Sequence, residues 1–578
     1  MPTSDLPLSA EIVSGQAHPA SDVRKIRSKG LEENLPADSQ LRAYLADKRE
    51  TGVNVPGLQP QRLVRYCAPL GPKPRCLLIM PPMRLFEGAV KRMIPPLGLC
   101  YIAAALEQRG YPCEVLDCLA QDTQERQVAE GVWQFGMAPE AFRDYIRASD
   151  FQVFGLSMIY SSDLGNLYDY AQIIREEKPA AVIVAGGIHA TIYAEQFLRD
   201  SLNDAGQETI NFVLRGEGEH RFADLLDTLA EGMIDAAADG LAGWLHGQLL
   251  INPQREVITD LDALPFPAYQ KVDLEKYFEH NVPFSPYSRG KRVMQIYTSR
   301  GCPVSCTFCA STNFAKSYRA RSVENVMAEI DYYIAEYGID EIQFADDNLT
   351  FQKERSFKLF SELKKRNLHW CTPNGIMVNT LTEELLELMI ASGLYQITLS
   401  LDSGSAETLQ LRHRKPVNLG RIADLMAFLE GRDVLMHGTL VVGMPGETRE
   451  AMHVGFDFVA GLPFHSINVF IAQAIPGSEL FEKSIAAGIM TYREALHIDT
   501  ARSIVQLSTV PNSELEGMVS DFLITMNERI RARDPAAWDR KYGEHLDRMK
   551  DICVGQASAI TQTILDAGRA VARPVPVA

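Results

Sequence analysis

Cys302, Cys306 and Cys309 stand on one short stretch, Tyr297-Thr-Ser-Arg-Gly-Cys-Pro-Val-Ser-Cys-Thr-Phe-Cys309, at a C-x3-C-x2-C spacing. The apolar run at 293–297 reads as a buried strand, so the three thiols follow a strand end on a common loop. Three thiolates so placed can hold three irons of a four-iron, four-sulfur cluster and leave the fourth iron open to a small molecule. A zinc site would need a fourth ligand, for which Cys371 and His369 are available; simple burial is the commonest use of a lone cysteine such as Cys371. The barrel-like pattern that follows the loop favours the cluster.

Further polar residues recur at the ends of short apolar runs. They are Asp346-Asp-Asn348, Thr372-Pro-Asn-Gly375, Asp402-Ser403-Gly404, Gly443-Met-Pro-Gly-Glu447 and Gln473. Asp346 and Asp347 could orient a ligand, act as a base or cap the next helix. Arg319 and Arg321 lie just before a helix start; a guanidinium fork suits a carboxylate, phosphate or phosphonate, and an ordinary salt-bridged pair fits equally well. Earlier in the chain, Ser157, the pair Gly186-Gly187 and the triplet Gly216-Glu217-Gly218 also follow apolar runs. Side-chain-free turns let a backbone approach a large ligand closely, and turns alone also use glycine. No G-x-G-x-x-G opens a helix after the first strand, which speaks against a nicotinamide or flavin site.

These positions demand two sets of strands. Runs at 76–80, 114–116, 153–157, 181–185 and 212–215 alternate with helical segments, which predicts a doubly wound, Rossmann-like parallel sheet with its ligand at the strands' carboxyl ends. Six further runs, at 293–298, 341–345, 370–378, 396–401, 434–442 and 466–472, each precede a helical segment. They predict a partial (β/α)6 barrel whose functional loops lie at the C-terminal strand ends. The expected domains are an extension (1–72), the α/β sheet (73–250), a Pro- and aromatic-rich linker (251–288), the barrel (289–496) and a small helical domain (497–578). In the last, helices are expected over 514–533, 536–554 and 556–572, with Trp538 and Tyr542 packing either over the barrel mouth or outside it.

With 578 residues, the chain can bury cofactors between domains. A net charge of −17 excludes a broad nucleic-acid footprint, though not a local basic pocket. The ten cysteines are not spaced like a disulfide scaffold, no signal-peptide pattern opens the chain, and no apolar run reaches membrane-spanning length. A cytoplasmic protein with no membrane or nucleic-acid partner is expected.

The cysteine motif, including Phe308 before the last cysteine, resembles that of the radical S-adenosylmethionine (SAM) enzymes. Ser157-Met-Ile159 and Gly186-Gly187 resemble elements of cobalamin-binding domains, and Pro95-Pro-Leu-Gly-Leu resembles a helix start of the cobalamin-dependent branch. The D-x-H-x-x-G histidine that often ligates cobalt has no counterpart, since residues 75–130 contain no histidine. Either cobalamin is bound without that ligand or the sheet binds none; His189 reads as a polar helix-start residue.

Over residues 75–500 the chain therefore resembles the cobalamin-dependent radical SAM enzymes. It is most similar to their hydroxyethylphosphonate C-methyltransferases, through Asp273-Leu-Glu-Lys-Tyr-Phe278, Tyr337-Gly-Ile-Asp-Glu341 and the motifs above. The resemblance implies a 4Fe-4S cluster on Cys302, Cys306 and Cys309. It implies SAM contacts from Phe308, Asp402, Ser403, Gly443 and Gln473, and a cobalamin (methylcobalamin) held at Ser157, Gly186, Gly187, Gly216 and Glu217. The implied activity is methylation of an unactivated carbon of a small-molecule substrate, such as a phosphonate or other natural-product intermediate, through a 5′-deoxyadenosyl radical. Electrons would come from an external donor such as flavodoxin or ferredoxin. Ring formation or rearrangement without methyl transfer, and a non-catalytic cofactor sensor, are the alternatives.

Overall fold

The structure, a computed structural model, describes residues 62–86, 89–203, 205–285, 288–311, 317–496, 505–533 and 535–538. The expected extension up to residue 61 lies outside them, as do most of the expected helices over 536–554 and 556–572, with Tyr542 and the side chain of Trp538.

The first sheet contains β1 (Cys76–Met80), β2 (Cys113–Asp117), β3 (Val153–Met158), β4 (Val182–Gly187), β5 (Phe212–Leu214), β6 (Leu241–Leu245) and β7 (Gln248–Ile251). Their order is β7-β6-β5-β4-β3-β1-β2. β1 to β5 are parallel, and apolar side chains bury both faces of the central strands, as the continuous run Cys76-Leu-Leu-Ile79 shows. β6 and β7 form an antiparallel hairpin on the edge, so the sheet is mixed where the sequence pattern predicted a parallel one. The chain reverses direction across the sheet between β1 and β3, which opens a crevice at their carboxyl ends.

The second sheet contains β8 (Val293–Ile296), β11 (Glu341–Phe344), β12 (His369–Ile376), β13 (Leu394–Asp402), β14 (Leu435–Val442) and β15 (Ser466–Ile471), all parallel and in that order. Helices follow the strands and bury the outer face. Leu385, Leu386 and Met389 of Glu383–Ala391, for example, are all fully buried. Inside, the register aligns Gln295, Gln343, Cys371 and Gln396 across four strands. Ser285 from the linker donates its N–H to Gln343 (2.8 Å) and its hydroxyl to Gln396 (3.2 Å). Cys371 thus belongs to a closed polar layer in the barrel, and burial pushes its thiol well above the usual range.

Between β8 and β11, a two-residue ribbon pairs β9 (Ser299–Arg300) with β10 (Arg319–Ala320). The helix Asn512–Arg533 lays Leu515, Val519, Phe522, Met526 and Ile530 against the barrel's side, where Phe522 stacks on Phe456 at 4.3 Å. It covers the outer flank of the last strands. No helix among the described residues is long and apolar enough to cross a membrane.

Candidate active site at two sets of strand ends

The cysteine loop leaves β8 under tight control. Asp346, buried at the end of β11, accepts hydrogen bonds from Thr298 N (3.1 Å), Thr298 Oγ1 (2.7 Å) and Ser299 Oγ (2.5 Å). Asp346 therefore builds the turn into the loop, while Asp347 beside it is exposed. Further on, Thr307 donates N–H to His413 O (3.1 Å) and its hydroxyl to Arg412 O (2.6 Å), and Thr307 O accepts from Leu480 N (2.9 Å). His413 and Arg412 belong to a π-helical turn, Thr408–His413, of a kind found frequently at functional sites.

Cys302, Cys306 and Cys309 are half-buried, and none is in a disulfide. Among the described residues no three His, Cys, Asp or Glu side chains converge on one point, as ligands of a single metal ion would. Thiolates on separate irons of a cluster need no such convergence. Burial pushes the Cys306 thiol up to about 12, with the Lys415 ammonium opposing the rise. Burial also raises Cys302, against a hydrogen bond from Asn348, whose buried Oδ1 has no partner among the described residues. The orphaned acceptor beside Cys302 calls for a hydrogen-bond donor and the Lys415 cation beside Cys306 for negative charge, which fits a site completed by a ligand carrying both.

Asp402 ends β13 with a left-handed backbone (φ 61°), which a residue other than glycine seldom adopts. Its carboxylate meets Lys415 Nζ at 2.5 Å, and both side chains are under one-tenth exposed. Burial works against the Lys415 ammonium, but the negative charges of Asp402 and of the Cys306 and Cys302 thiolates outweigh it and hold its pKa above the usual value. Lys415 was not singled out in the sequence because Arg412-His-Arg-Lys415 reads as a solvated charge run. Ser403 has a local task, accepting from Ser405 N at 3.0 Å. Phe308 packs against the apolar cluster that includes Val441, Met444, Ala472 and Ala474, edge-on to His413 at 5.2 Å. Gly443 (φ 82°) donates its N–H to buried Glu447 at 2.8 Å, and Gln473 is buried beyond β15. Together these residues wall the loop on the β14–β15 side.

At the first sheet, Met80, Pro81, Pro82, Met83, Ser157, Met158 and Tyr160 line a largely apolar pocket at the crevice between β1 and β3. Ile159 and Tyr160 are about half exposed there, an apolar surface suited to a large flat ligand. Gly187 (φ 109°) lies so close to β3 that an added Cβ would stand 1.9 Å from Met158 O; one on Gly186 would meet nothing nearer than 3.7 Å. His189 is buried, with Nδ1 2.9 Å from Ser161 Oγ and Nε2 2.5 Å from Tyr492 OH, so both ring nitrogens are already engaged. Gly216 (φ 81°) donates its N–H to Thr191 Oγ1 at 2.9 Å. Glu217, expected at the cofactor, instead turns its carboxylate to Arg300 and Arg319 of the ribbon. These arginines hold it below the usual carboxylate range although burial alone would raise it. Arg321 pairs with buried Glu329, so both Arg319 and Arg321 are in ion pairs.

Residues 296–459 match the Radical SAM superfamily model and residues 84–226 the B12 binding domain model. Cytidylyl-2-hydroxyethylphosphonate methyltransferase of Streptomyces wedmorensis is 34% identical over 73% of this chain and 84% of its own length. The chain belongs to the cobalamin-dependent radical SAM enzymes. Its cofactors are accordingly a 4Fe-4S cluster, SAM and cobalamin, and it is an enzyme of the radical SAM methyltransferase kind. The anaerobic magnesium-protoporphyrin IX monomethyl ester cyclase of Rubrivivax gelatinosus is a more distant relative, 24% identical over 71% of this chain and 70% of its own. In fold, the chain resembles the radical SAM methyltransferase TsrM of Kitasatospora setae, solved with cobalamin and cluster bound. The TM-score is 0.55 at 18% identity, covering 71% of this chain and 74% of that one.

Proposed function

We propose that this methyltransferase methylates an unactivated carbon of a small molecule bound between the two sets of strand ends, a phosphonate or a related natural-product intermediate. Cys302, Cys306 and Cys309 would each ligate one iron. Asp402 and Lys415, an ion pair beside Cys306, match the opposite charges of an α-amino acid, so they would receive the methionyl end of SAM. Phe308, Gly443 and Gln473 would flank its adenosine. Ser157, Gly186, Gly187 and Gly216 would let the sheet backbone approach the corrin. Once bound, the cofactors supply reductive SAM cleavage and methyl transfer through cobalt. The protein's part is to hold both at one enclosed cavity and to keep water from it.

The supporting observation is that the two strand-end sets meet. Glu217, just beyond β5 of the first sheet, pairs with Arg300 and Arg319 on both arms of the ribbon that follows β8 of the second. A phosphonate acceptor draws support from the Streptomyces relative's name; an external flavodoxin- or ferredoxin-type donor would supply electrons. The test is an anaerobic assay of nucleotidyl and free alkylphosphonates with methyl-deuterated SAM. Label in a product carbon supports the reading. An unlabelled, cyclised product would favour ring closure, the reaction that names the Rubrivivax relative.

A further inference from the structure

The ribbon that closes the neck of the cysteine loop places Arg300 directly opposite Arg319. Like charges facing each other across two strands destabilise the pair; Asp346 fixes Ser299 at the start of the ribbon, but the ribbon's own residues, Ser299, Arg300, Arg319 and Ala320, include no acid to offset the two guanidiniums. The opposing charge comes from the other sheet. Glu217, just beyond β5, accepts from Arg300 Nη1 at 2.8 Å and from Arg319 Nη1 at 2.9 and 2.8 Å. Its Oε2 also accepts from Ile258 N at 2.8 Å. Glu219 takes the second Arg300 nitrogen at 2.7 Å, and the Arg300 guanidinium lies 5.1 Å over the Tyr101 ring. The side chains are 18% (Arg300), 8% (Arg319), 9% (Glu217) and 8% (Glu219) exposed. With so little solvent, losing one partner leaves a charge stranded.

We infer that Arg300, Arg319, Glu217 and Glu219 form a clamp that fixes the cysteine loop to the cobalamin-binding strand ends, setting the separation and orientation of the two cofactor sites. These are positioning residues. The inference rests on the functional reading only in taking those ends as the two cofactor sites. Arg300 is two residues from Cys302, and Glu217 follows Gly216, so each arm of the clamp adjoins one site. A ribbon released from Glu217 would open by its own repulsion and let the loop drift from the corrin.

The test uses Glu217→Gln and the charge-exchanged double variant Glu217→Arg/Arg319→Glu. Amide exchange over 299–303 is measured on the cofactor-free protein. Pulsed electron paramagnetic resonance gives the distance distribution between cob(II)alamin and the reduced cluster in the loaded protein. Glu217→Gln should speed exchange by about a hundredfold, as loss of a buried ion-pair partner implies. It should also broaden the distance distribution about twofold, reflecting a population of open states. The double variant should restore both in part. Wild-type exchange together with a wild-type distribution in Glu217→Gln overturns the inference. Should Glu217→Gln not fold, Glu219→Gln removes a single contact and should give the same changes at smaller size; no change there overturns it equally. A wild type that takes up no cobalt would sink the functional reading instead, leaving the exchange measurement to judge the clamp.

Discussion

Lys415 and Asp402 set the charge beside Cys306, and their proposed task can be separated from packing. Lys415→Met strands a buried carboxylate, at a cost of about 3 kcal/mol or more, and should weaken SAM binding at least about tenfold. Lys415→Arg keeps the charge and should recover most of it; equilibrium dialysis with SAM on the reconstituted protein reads the difference, and equal binding by all three proteins would remove the pair from the SAM site. Cys371 makes the opposite case. Fully buried in the barrel's polar layer, its replacement by alanine should cost stability but leave iron content and deoxyadenosine formation intact. The two buried imidazoles, His189 and His413, are each pushed down to about 4 by burial. Folding therefore favours their neutral forms. Their contribution is complete above the unfolded value near 6.5 and is lost as pH falls towards 4. Urea midpoints at pH 7 and pH 5 should differ less in His189→Gln and His413→Gln than in wild type; an unchanged difference would contradict the assignment.

At the scale of the element, the end of β4 offers a contrast within one glycine pair. Gly187→Ala forces a Cβ into Met158 O at a positive φ and should destabilise the fold by about 2 kcal/mol or more. Gly186→Ala makes only an ordinary van der Waals contact, 3.7 Å from Leu214 O. It should leave the melting temperature near wild type while lowering cobalamin affinity, if the corrin approaches there; unaltered affinity would move the cofactor away from β4. The first sheet's central strands were legible as short, continuous apolar runs between turn signals, and β1 coincides with the expected 76–80; the barrel strands, which carry Gln295, Gln343 and Gln396, were legible from their repeated alternation with helical segments. The β6–β7 hairpin was not foreseen, although His246-Gly247, both at positive φ, is the two-residue signal such a turn requires. The partners of Glu217 were beyond reach for a different reason. Its acceptors' donors lie 83 and 102 residues away, and no local pattern encodes a contact between modules. Motifs singled out the cysteines and Asp402 in the sequence; Lys415 became visible only in the structure, where the chain after the π-helical turn brings it onto Asp402.

At the scale of the whole molecule, a mixed sheet built on five parallel strands and an all-parallel sheet meet near the carboxyl ends of their parallel strands. One places a crevice where the chain reverses direction; the other places a cysteine loop after its first strand. The seam between them carries ion pairs at Glu217 and Glu219, a hydrogen bond between His189 and Tyr492 and one from Gly477 N to Tyr193 OH (2.8 Å). Such a seam suits an enzyme that must keep two cofactors in register, which is the central claim. The most direct measurement is anaerobic reconstitution with iron, sulfide and hydroxocobalamin, followed by desalting, metal analysis and absorption spectroscopy. About four irons and about one cobalt per chain are expected, with iron lost and cobalt kept in Cys302→Ala. Iron without cobalt in the wild type would contradict the central claim and take methyl transfer through cobalt with it.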